Sequence, residues 1–264
     1  MKWKEFILSH RIRNKLFYGL YKFEWERNMK ILVIVPAFNE SESIENVVEM
    51  LQKLGDGIDY LVVNDCSTDN EEEVLLSIPA NHIVLPVNLG IGGAVQAGYQ
   101  YAVAHDYDIA IQIDGDGQHD PTYISDLIRP VIDGEADMAI GSRFITKEGF
   151  QSTGLRRTGI TILSALIRLV CGVKVYDVTS GFRATNRYMT KVFADDYAQD
   201  FPEPEAIVAC VMHGGRVKEV PVVMREREAG TSSIHSFKSV YYMIKVSLAV
   251  ILKRFTTKRG GKKE

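Results

Sequence analysis

The sequence predicts an α/β fold in which a mostly parallel β-sheet is flanked by helices. Apolar, β-branched runs of strand length alternate with helix-patterned segments over residues 29–140, which is typical of a parallel sheet. Polar and charged residues follow these runs directly, as loops at the carboxyl edge of such a sheet do. The 264 residues, of which 46% are apolar, can form one large domain with a sizeable core.

Each strand of the first half is predicted from an apolar run that ends at a polar or breaking residue. The helices between them are predicted from apolar residues at helical spacing. Ser41 or Ser43 can cap the first helix, glycines begin a helix over 90–104, and Pro121 begins one over 121–132. The predicted strands are 29–35, 60–64, 83–85, 108–113 and 137–140.

The second half is less regular, and we predict helices over 155–171 and 204–214, a loop over 177–183 and a strand over 217–224. No internal repeat or low-complexity linker divides the chain. The predicted organisation is one domain, 29–233, between an amphipathic N-terminal extension, 1–28, and an amphipathic, basic C-terminal helix and tail, 234–264.

Both ends of the chain combine aromatic or apolar residues with lysines and arginines. The apolar block Tyr241–Leu252, which cations follow from Lys253 onward, is shorter than the ~20 residues of a membrane span. It suits an interfacial helix attracted by anionic lipid, although a core helix with a solvated basic tail is the alternative. The net charge of −3 gives no general attraction to nucleic acid, and three widely separated cysteines suit a reducing compartment. With no signal peptide visible, we expect a cytoplasmic protein that is peripheral on the inner face of the cell membrane.

The most informative segment follows the fourth predicted strand, where one glycine separates Asp114 from Asp116. A hard divalent cation prefers carboxylate ligands and keeps waters or substrate phosphates as well. Because α/β proteins bind nucleotides at the carboxyl ends of strands, the segment indicates chemistry on a nucleotide diphosphate. A simple turn is the alternative, since Asp and Gly both favour turns. An EF-hand is a poor fit, because no acid stands at the twelfth position from Asp114.

Other predicted strands also end in polar or charged residues. Asn39 and Glu40 follow the first strand, Asp65 follows the second, and Arg143 follows the fifth. Parallel strands bring such ends to one edge of a sheet, and stability alone does not explain the repetition. We therefore predict a functional site at this edge.

Six short motifs follow one another along the chain: Val35–Glu40, Val63–Asp69, Asn88–Gly90, Asp114–His119, Gly141–Arg143 and Thr179–Arg183. Together they resemble the inverting family 2 glycosyltransferases, which have the GT-A fold, and within them the dolichol-phosphate mannosyltransferase and polyprenyl-phosphate glycosyltransferase group. The match extends over roughly residues 30–233, most of the chain. The resemblance implies a GT-A fold and an enzyme that uses a nucleotide-diphosphate sugar.

The resemblance also implies a role for each matched position. Asp114 and Asp116, with Gln118 nearby, would hold a Mg²⁺ or Mn²⁺ ion that bridges to the donor diphosphate, and Asp116 and Arg183 would be catalytic. A mobile loop bearing Arg225 and Arg227 would close over that diphosphate. The donor would contact Pro36, Ala37, Asn39, Glu40, Asp65 and Gly90, and the acceptor would contact Arg143, Arg156, Arg157 and Ser180.

Two classes of acceptor remain open. A polyprenyl phosphate is already anionic and suits the arginines, whereas a hydroxyl of a lipid-linked glycan needs a general base. Glu203 or Glu205 stands where sugar-accepting family members have a catalytic carboxylate, although acids also favour the first turn of a helix. The leading prediction is transfer to a polyprenyl phosphate, and the alternative is transfer to a lipid-linked glycan in cell-surface polysaccharide synthesis.

Two other function classes are disfavoured. A nucleotidyltransferase would show a Gly-rich loop with Lys or Arg after the first strand, where this chain has Pro36–Glu40. A non-catalytic scaffold would not need an intact Asp114, Asp116 and Arg183. The multi-span tails of some relatives are absent from this sequence, which motivates the hypothesis that a separate small membrane protein holds the lipid.

Overall fold

The computed structural model describes residues 29–55, 57–146, 148–149, 154–225 and 236–257, without the side chains of residues 155–156 and 236–242. Within these ranges the strands form one seven-stranded sheet in the order β3-β2-β1-β4-β6-β5-β7. All neighbouring pairs are parallel except those that include β6. The predicted mostly parallel α/β fold is confirmed. The strands are β1 Ile31–Ala37, β2 Ile58–Asn64, β3 His82–Val84, β4 Ile109–Gln112, β5 Met138–Ser142, β6 Arg183–Asn186 and β7 Val217–Pro221.

Helices cover both faces of the sheet, each burying one apolar side against it. One core layer contains residues of α3, α5, α6, α7 and α8, and the other contains residues of α1, α2 and α4. A 3₁₀ turn, Pro121–Tyr123, precedes α4. The helices are α1 Ile44–Gln52, α2 Glu71–Ser77, α3 Gly90–Ala104, α4 Ile124–Ile132, α5 Gly154–Cys171, α6 Arg187–Asp195, α7 Pro202–Met212 and α8 Ser236–Thr256.

The first half agrees with the sequence prediction except in detail. All five predicted strands form, with small shifts at their ends, and α3 has the predicted bounds. Helix α2 was not predicted, since three successive glutamates begin a segment of only seven residues. Ser43 lies at the N-cap of α1 but makes no capping hydrogen bond; its hydroxyl donates to the Gly115 carbonyl at 2.8 Å instead. This bond ties the start of α1 to the acidic loop.

The second half differs more. Strand β6 and helix α6 lie in a segment for which no element was predicted, and β7 ends at Pro221 rather than at residue 224. Pairing of β7 with β5 stops where β5 itself ends, at Ser142. Val222 and Met224 are nevertheless buried, so their apolar character serves the core rather than a longer strand.

The register of the sheet gathers the site at one edge. Ala37 at the end of β1 pairs with Asn64 at the end of β2, and Gln112 ends β4 beside β1. Because β6 is antiparallel, its first residue, Arg183, pairs with Gln112. The loop that precedes β6 therefore lies at the same edge as the loops that follow β1, β2 and β4.

The C-terminal helix packs on this domain, since Val246 and Val250 of α8 are fully buried in its core. Among the described helices, none combines the length and the apolarity that a membrane crossing requires. The predicted extension 1–28, the boundary at 233/234 and the tail beyond residue 257 lie outside the described residues.

Candidate active site

Asn39 connects the loops after β1 and β2. It has a φ of 57°, a left-handed conformation that asparagine tolerates better than most residues. Its side-chain Oδ1 accepts hydrogen bonds from the backbone N–H groups of Thr68 at 2.8 Å and Asp69 at 3.2 Å. Its own N–H donates to the Ser67 hydroxyl at 3.0 Å. Asn39, predicted to bind the donor, therefore joins the loop after β1 to the loop after β2.

Glu40 is placed by a buried carboxylate. The Glu40 N–H donates to Glu71 Oε2 at 2.8 Å, and Glu71 is fully buried. Burial raises the pKa of the Glu71 carboxyl above its ordinary value, even though hydrogen bonds from Glu40 and Ser67 lower it. This contact fixes the backbone of Glu40, which lines the same cleft as Pro36 and Ala37.

Asp65 organises the start of α3. It is buried, and its Oδ1 accepts the Leu89 N–H at 2.7 Å, while its carbonyl accepts from Asn88 Nδ2 at 3.1 Å. Its own N–H donates to the Ala37 carbonyl at 2.9 Å. These bonds bring Gly90, whose φ is +75°, to the sheet edge, where a side chain would be strained.

The acidic loop is held against β1. The Gly115 N–H donates to the Pro36 carbonyl at 3.3 Å, and a Cβ on Gly115 would lie 3.1 Å from that oxygen. Asp116 Oδ1 accepts the Gln118 N–H at 3.1 Å across Gly117, which has a φ of +75°. The glycines therefore let the loop approach the strand closely and turn sharply, which brings both carboxylates to the sheet edge.

A cleft of about 340 Å³ opens at this edge, and both carboxylates line it. The described residues contain no group of three or more His, Cys, Asp or Glu side chains arranged to hold a metal ion. Two carboxylates on a cleft wall fit a cation that takes its other ligands from phosphate and water, as Mg²⁺ does in phosphoryl sites. The cleft is lined by Pro36, Ala37, Phe38, Glu40, Asp65, Asn88, Gly90, Ile91, Ala94, Asp114, Gly115 and Asp116.

Arg183, predicted to be catalytic, is fully buried beneath the loop that precedes β6. Its guanidinium donates to the carbonyls of Ser180 at 2.7 Å, Glu203 at 2.5 Å and Val178 at 3.3 Å. In the structure Arg183 joins this loop to the start of α7, and its guanidinium is bonded to protein carbonyls. Ser180, predicted to contact the acceptor, is also buried, and its carbonyl accepts one of these bonds.

Arg143, predicted to contact an acceptor phosphate, is buried and paired. Its Nε and Nη2 donate to the two oxygens of Asp177 at 2.7 and 2.6 Å. The backbone N–H of Asp177 in turn donates to Glu219 Oε1 of β7 at 2.8 Å. The guanidinium is therefore committed to holding the loop and does not face the cleft.

The two candidate bases lie at the start of α7, and neither lines the cleft. The carbonyl of Glu203 accepts from Arg183. Burial raises the pKa of the half-buried Glu205, opposed by Lys253 of α8 and reinforced by Asp200 and Asp196. The charged neighbours of Glu205 thus belong to the side of the domain that α8 covers.

Two other predicted arginines lie on the surface near the site. Arg225 donates its N–H to the Gln118 carbonyl at 2.9 Å and its guanidinium to Asp120 at 2.8 Å, so it is held beside the acidic loop. The guanidinium of Arg157 lies 5.6 Å from the ring centre of Phe144, a cation–π distance. Arg227 and the side chain of Arg156 lie outside the described residues.

Three further residues contact Asp114: His119 and Gly181 lie in motifs that the sequence analysis identified, whereas Gln112 was missed. Gln112 donates from Nε2 to Asp114 Oδ1 at 3.1 Å; a polar residue within an apolar strand was the signal for it. His119 Nδ1 accepts the Asp114 N–H at 3.1 Å. A Cβ on Gly181 would lie 2.5 Å from Asp114 Oδ1, so a side chain here would require the carboxylate to shift.

The chain is similar to glycosyltransferases in both sequence and fold. The model of the glycosyl transferase family 2 matches residues 32–193, and the chain belongs to that family. Glucosyl-3-phosphoglycerate synthase of Mycobacterium tuberculosis, solved with Mn²⁺, uridine diphosphate and phosphoglyceric acid, has a TM-score of 0.66 at 23% identity. The match covers 87% of this chain and 79% of that one, and it supports the fold.

Several curated proteins are similar over nearly their whole length. An uncharacterised protein of Methanocaldococcus jannaschii is 34% identical over 81% of this chain and 91% of its own. The polyprenol monophosphomannose synthase of Mycolicibacterium smegmatis is 29% identical over 88% of this chain and 91% of its own. The undecaprenyl-phosphate mannosyltransferase of Micrococcus luteus is 29% identical, covering 78% and 88%. These matches confirm the predicted resemblance to family 2 glycosyltransferases and to their polyprenyl-phosphate group.

Proposed function

We propose that this glycosyltransferase transfers a sugar from a nucleotide diphosphate to a polyprenyl phosphate, inverting the anomeric configuration. The observation that carries the proposal is the cleft at the sheet edge, with Asp114 and Asp116 on its wall beside Asp65 and Pro36. Relatives of similar length are named for transfer to polyprenol and undecaprenyl phosphates. An in-line attack opposite the departing diphosphate accounts for inversion.

Asp114 and Asp116 would hold a Mg²⁺ or Mn²⁺ ion, with Gln118 next to them in the same turn. The ion would supply positive charge to the departing diphosphate. The buried Asp65 and the start of α3 would form the wall against which the nucleoside lies. Arg225, held beside the same loop, would add positive charge near the departing diphosphate.

The acceptor phosphate needs cations but no base, since it is already ionised. Arg157 is exposed beside Phe144, so it replaces the buried Arg143 as the proposed acceptor contact. Glu205 has a raised pKa, as a base often does, but its charged neighbours lie toward α8. That placement is why transfer to a glycan hydroxyl remains the second candidate.

An acceptor assay separates the two candidates. Purified protein with Mg²⁺ or Mn²⁺ is offered a panel of nucleotide sugars and either undecaprenyl phosphate or a lipid-linked saccharide. We expect product on the bare lipid phosphate, with Glu203→Gln and Glu205→Gln each retaining activity within about threefold, because no proton has to be removed. Product only on the saccharide, lost by about 10²-fold or more in either variant, would establish the glycan reading instead. Activity of the purified chain alone would also remove the need for a small membrane-protein partner.

We also propose that α5 and α8 together contact the cytoplasmic face of the membrane. Leu169 of α5 and Phe255 of α8 are 84% and 80% exposed, and Ile244, Leu248 and Leu252 form an exposed row along α8. Arg254 Nε donates to the Val170 carbonyl at 3.1 Å, so these two helix ends lie side by side. The cations that follow in the sequence would meet anionic headgroups.

The membrane contact can be measured by vesicle sedimentation. Aspartate at Leu169 and Phe255 together should weaken binding to anionic phospholipid vesicles by about tenfold or more, since burying each side chain contributes roughly 1.5–3 kcal/mol. Leu76→Asp, at an exposed position of α2, is the matched control and should bind as the wild type does. Equal binding by the double variant and the control would contradict the proposed surface.

A further inference from the structure

Asp114 is held from several directions by groups that are themselves buried. Its backbone N–H donates to His119, and its Oδ1 accepts from Gln112, whose side chain is fully buried. Gly181 closes the remaining side, with its Cα against the carboxylate. By contrast, a carboxylate on a surface loop would be free to change rotamer.

The histidine contact fixes a tautomer. Because Nδ1 of His119 accepts the Asp114 N–H at 3.1 Å, the neutral ring carries its proton on Nε2. That nitrogen lies 3.9 Å from Asp114 Oδ2, so the N–H is near the carboxylate. The ring stacks on Phe182 with centroids 5.3 Å apart and is only 4% exposed. His119 thus bonds to the backbone of Asp114 and lies close to its carboxylate.

The glycine contact couples the same carboxylate to the loop before β6. A Cβ at residue 181 would lie 2.5 and 2.6 Å from the two oxygens of Asp114, so any side chain would displace the carboxylate. This loop cannot retreat easily, because Arg183 bonds to the Ser180 and Val178 carbonyls from below. On the other side, the Gly141 N–H donates to the Phe182 carbonyl at 2.8 Å.

We infer that His119 and Gly181 are positioning residues of the metal site, which set the affinity for a divalent cation by holding Asp114 in one pose. The inference rests on the proposed metal site at Asp114 and Asp116. A preformed ligand loses less conformational freedom when the cation binds, and groups behind a metal ligand typically contribute 10–100-fold in affinity. The sequence of the motif Asp114–His119 does not by itself distinguish a positioning residue from an ordinary turn residue.

The rival explanation is that His119 is itself a ligand. Its Nε2 would then have to reach the cation, although the ring is buried against Phe182 and its other nitrogen is held by the Asp114 N–H. Two replacements separate the explanations. Asparagine can place Oδ1 near the position of Nδ1 and accept the Asp114 N–H, whereas glutamine can place a polar atom near Nε2 but not near Nδ1.

The experiment measures the dissociation constant of Mn²⁺ by electron paramagnetic resonance, with the nucleoside diphosphate that binds the wild type. We expect His119→Ala and His119→Gln to weaken Mn²⁺ binding by about 10–100-fold and His119→Asn to restore most of it. Mg²⁺ affinity should fall by the same factor, because a lost imidazole ligand would instead affect Mn²⁺ more. Retention by glutamine with loss by asparagine, or a selective loss of Mn²⁺, would overturn the inference.

Gly181→Ala supplies a second variant, should the histidine variants fold poorly. It should weaken Mn²⁺ binding to a similar degree, while Gly154→Ala, where a Cβ meets nothing within 4 Å, should leave it unchanged. His105→Ala, at an exposed position after α3, is the control for loss of an imidazole. If the wild type binds Mn²⁺ tightly and every His119 and Gly181 variant does too, this inference alone fails. If the wild type binds no Mn²⁺ with any nucleoside diphosphate, the proposed metal site fails as well.

Discussion

Alanine in place of Asp116 is expected to lower the rate of sugar transfer by about 10³-fold or more, which corresponds to roughly 4 kcal/mol of transition-state stabilisation. Asp116 lies on the wall of the cleft next to Asp114. Without it, one carboxylate would have to hold the cation that offsets the charge of the departing diphosphate. The measurement is the initial rate of product formation at saturating donor, over a range of Mg²⁺ and Mn²⁺ concentrations.

The fold should survive this change. The hydrogen bond from the Gln118 N–H to Asp116 Oδ1 is only partly buried, and a typical bond of this kind contributes about 1 kcal/mol. Asp126→Ala, at an exposed position of α4, is the control for loss of one acidic side chain. Asp116→Asn tests the charge itself, since it keeps the shape and one oxygen. A transfer rate in Asp116→Ala close to that of the Asp126 control would remove the metal from the proposed mechanism.

Local sequence was enough to predict the carboxyl edge of the sheet. Apolar runs such as Ile31–Ala37 and Ile109–Gln112 are buried on both faces, so their composition directly reports their position. The acids that follow each run were therefore placed at one edge before any contact was known. Asp114 and Asp116 line the cleft for this reason.

The antiparallel strand β6 could not be predicted in the same way. Its four residues, Arg183–Asn186, include a buried arginine and a buried threonine, and neither suggests a core strand. Arg183 is tolerated there because three backbone carbonyls accept its hydrogen bonds, and Thr185 donates to the Ala110 carbonyl at 3.2 Å. Ser180 and Val178 are near in sequence, but Glu203 and Ala110 are 20 and 75 residues away from the side chains that they bind, and they come together only in the folded chain.

The surroundings of the predicted arginines could not be predicted from local sequence either. Arginine is the usual residue for binding phosphate, so Arg143 and Arg183 were predicted to contact substrates. In the structure both are buried and bonded within the protein; of the predicted arginines whose side chains are described, Arg157 and Arg225 are the two with an exposed side chain. The difference follows from Asp177, which no local pattern identifies as the partner of Arg143.

Removal of the Asp177 carboxylate is expected to lower the free energy of unfolding by about 3–5 kcal/mol, because Asp177→Ala leaves a buried guanidinium without its counter-charge. Asp177 is fully buried and accepts from Arg143 Nε, Nη2 and backbone N–H at 2.7, 2.6 and 3.1 Å. The check is urea denaturation, in which the midpoint should fall while the slope stays constant. Glu49→Ala, which breaks an exposed pair with Lys53, should cost only about 0.3–0.5 kcal/mol.

A double variant separates the stability of this pair from its role in the site. Leucine at both Arg143 and Asp177 should recover most of the lost stability, since apolar residues often replace a buried ion pair without net cost. The bond to Glu219 of β7 would remain, because it comes from the backbone N–H of residue 177, but the bonds that join Arg143 to the Asp177 carboxylate would be lost, and they hold the loop before β6 to the end of β5. We therefore expect the double variant to unfold near the wild-type midpoint yet bind Mn²⁺ and nucleoside diphosphate more weakly, because Gly181 would no longer be held against Asp114. Wild-type affinity in a stable double variant would mean that the pair serves stability alone.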